Sequence, residues 1–388
     1  MKYIRPSNHK DILRLKGILD DEVYIGPKYL TFDITDVCNM NCIYCYRHSP
    51  LVNPVRNNPA LSQKGRDALP LARISNGVKS SKFKHLPFAI IKRTIEEARE
   101  LGVEMIVITG DGEPILHPRI REIIDYLNRH HIPYGLDTNA TCLEQKNLIP
   151  YLLTANFIEI NLAAANPKMY KLIHCPRGRK NFFYDAIKNI KALILAKGTK
   201  SKPNIHLNFV ITNKNISHMK RMFGLAKSLG LEKVIFNPMV RIVEELKSLE
   251  LSDRDIDKVK RIAMSLEKEP NVIDNNLDIL NFAKSADLGY GIKRCYLPWF
   301  FAFITANGQV GFCYDRNDLV VGNLNNDTLK HIWEGEEYHQ LRLKFKYQID
   351  LKKQSWQICK FCEMLEFNKD IEKILKARNL KHNGHKAN

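Results

Sequence analysis

Three cysteines near the start of the chain are the residues best suited to chemistry. Cys38, Cys42 and Cys45 are spaced Cys-x3-Cys-x2-Cys in one short segment. Soft thiolates this close together bind zinc or an iron–sulfur cluster in preference to hard cations. A closed structural zinc site needs four ligands, and His48 could supply the fourth, so a Cys3His zinc site is an alternative to a cluster.

Four further cysteines form a second group near the C-terminus: Cys295, Cys313, Cys359 and Cys362. Their spacing alone also fits a zinc ribbon. The chain has nine cysteines and no secretion signal at its N-terminus, which argues against disulfides because cytosolic thiols stay reduced. The grouping therefore indicates metal binding. Cys142 and Cys175 stand alone, and we interpret both as inert.

Hydrophobic periodicity predicts the elements that position these residues. Six β-branched or aromatic runs predict strands at 29–35, 105–109, 134–138, 157–162, 206–211 and 233–237. Helical patterns between them predict helices at 87–101, 118–131, 181–197 and 215–229. About six strand–helix units in series predict a parallel sheet, either a partial barrel or an open doubly wound sheet.

In both arrangements, chemistry gathers at the C-terminal ends of the strands. The cysteine loop follows the first predicted strand, and the segment Gly-Asp-Gly-Glu-Pro at 110–114 follows the second. The segment Asp-Thr-Asn-Ala-Thr at 137–141 ends the third strand, and Asn161 ends the fourth. We therefore expect the residues at these four strand ends to form one site with the three cysteines.

The segment CNMNCIYCY resembles the signature of the radical S-adenosylmethionine (SAM) superfamily, with the aromatic Tyr44 before the last cysteine. The resemblance implies that Cys38, Cys42 and Cys45 hold a [4Fe–4S] cluster whose remaining iron is chelated by SAM. One-electron reduction then cleaves SAM to methionine and a 5′-deoxyadenosyl radical. It also implies a reducing partner such as ferredoxin or flavodoxin.

The segment at 110–114 is similar to the family's Gly-Gly-Glu-Pro motif, which receives the amino group of SAM. Gly110, Gly112, Glu113 and Pro114 match this motif, and Asp111 stands where a glycine is usual. The match, found directly after the second predicted strand, strengthens the resemblance.

Four more residues are implied as SAM contacts. Asn161 is similar to a strand-end residue that contacts the ribose or carboxylate of SAM, and Thr138 and Asn139 lie where methionine contacts are often made. Arg177, in the segment HCPRGR, could pair with the SAM carboxylate as a bidentate donor. For all four, an ordinary polar residue in a loop or at a strand end is the alternative.

The second cysteine group, with Gly308 five residues before Cys313, resembles the SPASM and twitch extensions of radical SAM enzymes. No cysteine follows Cys362, so the resemblance implies one auxiliary [4Fe–4S] cluster held by Cys295, Cys313, Cys359 and Cys362. With a thiolate on every iron, such a cluster cannot bind substrate directly. Electron transfer is its implied role.

The implied fold is α/β: a partial (β/α)6 barrel core with a small C-terminal α+β iron–sulfur domain. We expect an N-terminal extension at 1–25, the core at 26–240, a helical connector at 241–290, the auxiliary-cluster domain at 291–370 and a basic tail at 371–388. Residues 48–85 are rich in Asn, Pro, Ser, Arg and Lys, which predicts a disordered insertion, with a substrate lid as the alternative.

The charge balance restricts the choice of partners. Lys and Arg number 60 against 42 Asp and Glu, a net charge of +18 that attracts anions. No zinc-finger spacing, RNP motif or aromatic-interleaved basic stripe accompanies this charge, so we interpret it as a solvated surface and disfavour nucleic acid as a partner. The sequence also lacks a long apolar run, which predicts a soluble cytoplasmic protein without a membrane partner.

Three functions stay open. The first is a radical SAM oxidoreductase or maturase, which abstracts hydrogen from a peptide or small-molecule substrate and oxidises it through the auxiliary cluster. The second is a redox-neutral radical SAM enzyme whose C-terminal domain docks the substrate. The third is a non-catalytic, zinc-stapled nucleic-acid-binding protein. The sequence identifies no catalytic acid or base, and it does not rank these candidates for a proton acceptor: Asn208, Asn237, Arg241, Asp315 and Arg316.

Overall fold

The structure is a computed structural model that describes residues 8–52, 85–178, 180–231, 233–240, 243–266, 274–275, 293–313, 316, 319–350, 359, 362 and 364–384. The strands within these ranges are β1 (Tyr29–Asp33), β2 (Met105–Thr109), β3 (Tyr134–Thr138), β4 (Phe157–Asn161), β5 (Asn204–Ile211), β6 (Val234–Pro238), β7 (Asp274–Asn275), β8 (Phe301–Ile304), β9 (Gln309–Gly311) and β10 (Gly322–Asn323). They form one sheet in the order β10-β9-β8-β1-β2-β3-β4-β5-β6-β7.

Eight of these strands run parallel, and β9 and β10 pair antiparallel at one edge. The six predicted strands are β1 to β6, in chain order and adjacent in the sheet. The predicted α/β class with a parallel core is therefore confirmed. The sequence did not predict the place of β8, which comes from the C-terminal part of the chain and lies parallel to β1.

The helices are α1 (His9–Asp20), α2 (Phe88–Glu100), α3 (Ile120–Arg129), α4 (Ile149–Leu152), α5 (Pro167–His174), α6 (Phe183–Lys197), α7 (Met219–Ser228), α8 (Asp253–Leu266), α9 (Leu329–Glu334), α10 (Glu336–Tyr347) and α11 (Leu365–Gly384). The four predicted helices correspond to α2, α3, α6 and α7. The sequence analysis missed α5, although its start has a clear signal. Asn166 caps it by accepting from Met169 N–H at 2.9 Å, and Pro167 occupies its first turn.

The inner and outer faces of the sheet differ in polarity. In β4 the side chains of Ile158 and Ile160 are buried in the hydrophobic core, whereas Phe157, Glu159 and Asn161 are only partly buried. Because side chains alternate along a strand, Glu159 and Asn161 share the face opposite the two isoleucines. The polar face of the central strands is therefore the one available to ligands.

The predicted N-terminal extension is packed into the fold where it is described. In α1, Arg14 and Asp11 form an ion pair at 2.9 Å, and Arg14 also pairs with Glu104 at 2.6 Å. Lys28 completes the group at 2.6 Å from Asp11. Both charges of the Arg14–Asp11 pair are almost fully buried, and their mutual neutralisation makes that burial tolerable.

In the C-terminal part, Asn307-Gly308 forms a hairpin turn, as the turn-forming pair Asn-Gly between two apolar runs predicts. It joins the antiparallel strands β8 and β9, and Gly308 has a φ of 79°, which glycine adopts without strain. Helix α11 crosses the predicted domain boundary at 370, and its Phe367 packs edge-on against Phe300 at 5.2 Å. The domain limits themselves stay predictions.

The two ends of the predicted 48–85 insertion belong to the folded structure. Ser49 Oγ donates to the Ile43 carbonyl at 2.6 Å, and Val52 packs in a small cluster with Leu246 and Leu249. The segment predicted to be disordered is therefore shorter than expected at these ends, and residues 53–84 lie outside the described ranges, as does most of 267–292. Among the described helices, none combines the length and apolar character needed to cross a membrane.

Candidate functional site

The cysteine loop lies between the end of β1 and the end of α5. Asn41 N–H donates to the carbonyls of His174 and Cys175 at 3.2 and 3.1 Å, and Ile43 N–H donates to Ile173 at 2.8 Å. Cys175 directly follows the last residue of α5. These backbone bonds fix the path of the loop without using its thiols.

The three thiols of this loop are suited to metal binding. The three thiols are buried together in the loop, and burial raises the pKa of each of them, to about 12 for Cys38. Met40 N–H donates to Cys38 Sγ at 3.4 Å, and His48 N–H donates to Cys45 Sγ at 3.3 Å. Such donors stabilise ligated thiolates.

His48, the candidate fourth zinc ligand, bonds to another partner. Its Nδ1 lies 3.2 Å from a guanidinium nitrogen of Arg177. The Nδ1 atom of His48 thus contacts Arg177, and the three thiols without His48 match the ligand number of a cluster that leaves one iron open.

The segment at 110–114 packs against the strand that leads into the cysteine loop. Gly112 N–H donates to the Thr35 carbonyl at 2.9 Å, and Glu113 N–H donates to the Val37 carbonyl at 2.8 Å. A Cβ on Gly112 would lie 2.3 Å from the Val37 oxygen, so glycine is required for this close approach. The segment therefore lies directly beside Cys38.

Glu113 connects this segment to the end of β3. Its carboxylate accepts from Thr138 Oγ1 at 2.6 Å, from Asn139 N–H at 2.7 Å and from Ile115 N–H at 3.2 Å. Burial raises the pKa of Glu113 to about 7, although these bonds favour the ionised form. Both carboxylate oxygens accept bonds within the chain, so Glu113 positions Thr138 and Asn139, and its predicted contact with SAM stays a prediction.

Asp111, the departure from the family motif, has a structural partner. The Tyr46 hydroxyl donates to Asp111 Oδ1 at 2.7 Å, and the Arg47 guanidinium forms an ion pair with the other oxygen. Asp33, at the end of β1, is buried beside them, and burial together with the charge of Asp111 raises its pKa well above the usual value. The aspartate thus ties the motif to the residues that follow Cys45.

We expect Arg47→Leu to lower the free energy of unfolding by about 3 kcal/mol, because it leaves Asp111 and Asp33 buried without their cation. Arg129→Leu is the matched control, since Arg129 is exposed and pairs with the exposed Asp125, and it should change stability by less than about 0.5 kcal/mol. Anaerobic urea unfolding of the reconstituted protein measures both. Equal effects of the two substitutions would contradict the buried network.

Asn139 and Arg177, two of the predicted SAM contacts, also contact the cysteine loop. Asn139 Nδ2 donates to Asn39 Oδ1 at 2.8 Å, and Arg177 Nε donates to Asn41 Oδ1 at 2.9 Å. The loop is therefore held from both sides, by the end of β3 and by the segment after α5. A direct role for either residue in binding SAM stays a prediction.

A row of polar side chains crosses the inner face of the sheet. The strand register places Asp137, Glu159 and His206 side by side on β3, β4 and β5. His206 Nε2 lies 3.0 Å from Glu159 Oε2, and Asn208 Nδ2 lies 3.0 Å from both Glu159 Oε1 and Asn161 Oδ1. Asn161, a predicted SAM contact, is thus part of a network with Glu159.

Two carboxyl groups in this row differ in their titration. Burial, with the nearby charge of Glu159, raises the pKa of Asp137 well above its usual value. Burial also opposes ionisation of Glu159, but the hydrogen bond and charge of His206 outweigh it and hold the pKa of Glu159 below its usual value. Glu159 is therefore the carboxylate of this row that is ionised at neutral pH.

The sequence analysis named Asn208 and Asn237 from this network but missed Glu159. Asn237 Nδ2 donates to Asn208 Oδ1 at 2.9 Å. The missed signal is strand alternation, since Glu159 stands two residues before Asn161 and so shares its face. Two other candidates, Arg241 and Asp315, lie outside the described residues.

The four C-terminal cysteines come from three segments of the chain, and three of these cysteines lie near one another. Cys295 is buried, and burial raises the pKa of its thiol well above the usual value, with further contributions from Cys313 and Cys359. The fourth thiol, Cys362, accepts from Met364 N–H at 3.4 Å. Cys295, Cys313 and Cys359 thus lie near one another, apart from the cysteine loop. Arg316, also considered from sequence, lies here, 6.0 Å from the Phe345 ring.

The two cysteine groups lie toward opposite ends of paired strands. In the sheet, Phe301 at the start of β8 lies beside Tyr29 at the start of β1. Strand β9 runs antiparallel to β8, and its Gly311 lies opposite Phe303. Cys313, two residues after Gly311, therefore lies toward the start of β8. Cys38 instead follows the far end of β1, and five residues of strand span about 13 Å from first to last.

Comparison with known proteins identifies the class. The model of the radical SAM superfamily matches residues 32–226, half of the 388-residue chain. The model of the SPASM iron–sulfur cluster-binding domain matches residues 295–363. The chain therefore belongs to the radical SAM superfamily and carries a SPASM domain. The cofactors that these matches imply are SAM and [4Fe–4S] clusters, and the non-catalytic zinc-protein alternative is set aside.

Several known proteins share most of this architecture. The antilisterial bacteriocin subtilosin biosynthesis protein AlbA of Bacillus subtilis is 23% identical over 81% of this chain and 61% of AlbA, less than two thirds of its length. The AdoMet-dependent heme synthase of Methanosarcina barkeri is 21% identical over 82% of this chain and 85% of the synthase.

A solved structure supports the fold. Streptococcus suis SuiB bound to S-adenosylmethionine has a TM-score of 0.62 and 14% identity, with 91% of this chain and 76% of SuiB covered. A second structure shows SuiB bound to its precursor peptide SuiA, with a TM-score of 0.61. At this identity the likeness concerns the fold, and it confirms the radical SAM architecture.

Proposed function

We propose that this chain is a radical SAM maturase that oxidises a peptide substrate, with Cys38, Cys42 and Cys45 on the catalytic cluster. Cys295, Cys313, Cys359 and Cys362 hold the auxiliary cluster in this proposal. When bound, these groups and SAM supply a 5′-deoxyadenosyl radical and an electron acceptor. The protein itself places the substrate C–H bond, receives a proton and excludes water.

The separation of the two cysteine groups carries this proposal. They lie toward opposite ends of β1 and β8, strands that are directly hydrogen-bonded. The carbon that loses hydrogen beside the cysteine loop cannot itself touch the C-terminal thiols, because a strand length of about 13 Å intervenes. An electron can cross such a distance, whereas a direct bond between that carbon and the auxiliary group cannot form.

Glu159 is our candidate for the proton acceptor. Loss of one electron from a carbon radical beside an O–H or N–H group releases a proton, which needs a base nearby. The amides of Asn208 and Asn237 are not bases, whereas the ionised Glu159 carboxylate can accept a released proton and lies in the same network. His206 and Asn208 hold it in place.

The relatives favour a peptide as substrate. AlbA takes part in the biosynthesis of the bacteriocin subtilosin, and SuiB binds a precursor peptide. The heme synthase is a relative whose name gives a product that is not a peptide. The peptide substrate of this chain is therefore part of the proposal. A short peptide encoded beside the gene is the first substrate to test.

The test combines the reconstituted enzyme, SAM, dithionite and that peptide, deuterated at its side chains. We expect deuterium in 5′-deoxyadenosine and a peptide lighter by two hydrogen atoms. Glu159→Gln should keep the deuterium transfer but lower product formation about 100-fold or more, as loss of a general base does. Glu144→Gln, an exposed carboxylate paired with Lys188, is the matched control. A product of unchanged oxidation level would support the redox-neutral docking alternative.

A further inference from the structure

His174, the last residue of α5, is a buried histidine whose ring faces the cysteine loop. The residue is 1% exposed to solvent. The backbone N–H of Ala163 donates to His174 Nε2 at 2.9 Å. A nitrogen that accepts a hydrogen bond carries a lone pair and not a proton, so in the neutral ring the proton is on the other nitrogen.

That other nitrogen, Nδ1, lies 3.2 Å from Cys42 Sγ. With the tautomer fixed by Ala163, the bond is an N–H donated to sulfur. The ring cannot turn away easily, because Tyr170 lies over it with ring centroids 4.6 Å apart and Tyr44 meets its edge at 6.1 Å. The protein alone therefore fixes the hydrogen bond between His174 and Cys42, without a bound group.

Cys42 differs in this respect from its two neighbours. The donors to Cys38 and Cys45 described above are backbone N–H groups of the loop itself, from Met40 and His48. Cys42 has a hydrogen bond with the Tyr44 side chain of the loop, and it has in addition a donor from another element, His174, 132 positions away in sequence. Substitution of His174 can therefore remove one N–H···S bond and leave the loop sequence intact.

We infer that His174 sets the reduction potential of the catalytic cluster by donating its Nδ1–H to the Cys42 thiolate. This inference rests on the proposed ligand role of Cys42. A hydrogen bond to a ligand sulfur withdraws negative charge from the cluster, and it stabilises the reduced state more because that state carries one more electron. His174 is thus a tuning and positioning residue that does not touch the substrate.

Two substitutions separate the donor from the rest of the ring. In His174→Gln, the amide oxygen can take the position of Nε2 and accept from the Ala163 N–H, but no donor lies near Cys42. In His174→Asn, the amide N–H can take the position of Nδ1 and donate to Cys42. In His174→Gln we expect the equilibrium constant for one-electron reduction of the catalytic cluster to fall about tenfold, which lowers the reduction potential by about 59 mV. In His174→Asn we expect the potential to fall by less than half of that amount.

The measurement is an anaerobic redox titration of the holoenzyme followed by electron paramagnetic resonance. The catalytic cluster is recognised by the change in its signal when SAM is added. An unchanged potential in His174→Gln at full iron content overturns the inference. Equal shifts in both variants also overturn it, because loss of packing and not loss of the donor would then explain them.

Wild-type protein labelled with 15N-histidine gives a second test that does not depend on the folding of variants. Pulsed resonance on the reduced, SAM-responsive cluster should show a weak histidine nitrogen coupling and an exchangeable proton. If both are absent, the inference is wrong. If no SAM-responsive cluster assembles and Cys42→Ala leaves the iron content unchanged, the proposed function is wrong. This result differs from one that contradicts only the role of His174, so the two failures are distinguishable.

Discussion

Replacement of Cys42 by alanine is expected to abolish formation of 5′-deoxyadenosine and to lower the iron content from about eight to about four atoms per chain. The three-thiol loop is the proposed support of the catalytic cluster, and two remaining thiolates do not hold it. The C-terminal group has its own four thiols on separate segments, so its iron should stay. Cys38→Ala and Cys45→Ala should behave in the same way.

Cys175→Ala is the matched control for this experiment. Cys175 lies next to the loop, but its Sγ donates to the Leu172 carbonyl at 3.2 Å and belongs to neither proposed ligand set. The variant should retain full iron content and SAM cleavage. Iron and sulfide analysis and chromatography of the nucleoside give the readout. Continued 5′-deoxyadenosine formation in Cys42→Ala would reject the assignment of the loop.

Replacement of both Cys359 and Cys362 by alanine is the second decisive change. We expect loss of about four irons, retained SAM cleavage and loss of the oxidised product. Hydrogen abstraction precedes loss of the electron, so deuterium from labelled substrate should still reach 5′-deoxyadenosine. The separation of the two cysteine groups along β1 and β8 is the reason to expect this division.

The outcome of the double replacement also decides between the two enzymatic hypotheses. Full product formation would reject the electron-acceptor role and favour a docking role for the C-terminal domain. Zinc at these four cysteines in the native protein would reject both. Cys142→Ala, at a buried cysteine outside both groups, controls for the general effect of replacing a thiol.

Much of the core could be predicted because its signals are local. The strands β2 and β3 have the predicted limits, and β1, β4, β5 and β6 differ at their ends by one or two residues. Short apolar runs with turns on either side are typical of parallel strands, and neighbouring residues alone produce that pattern. By contrast, β8 is four residues long, and its place beside β1 depends on a contact across most of the chain.

The sequence by itself determined the chemistry that this protein can support. The spacing of Cys38, Cys42 and Cys45 lies within one loop, and the glycines and proline of the 110–114 segment follow one strand, so neither needs a tertiary contact to be recognised. The tertiary structure decided how these groups are supported. Asp111 pairs with Arg47, and His174 donates to Cys42, across 64 and 132 positions of sequence. Strand register and helix packing bring such partners together, and no local pattern encodes them.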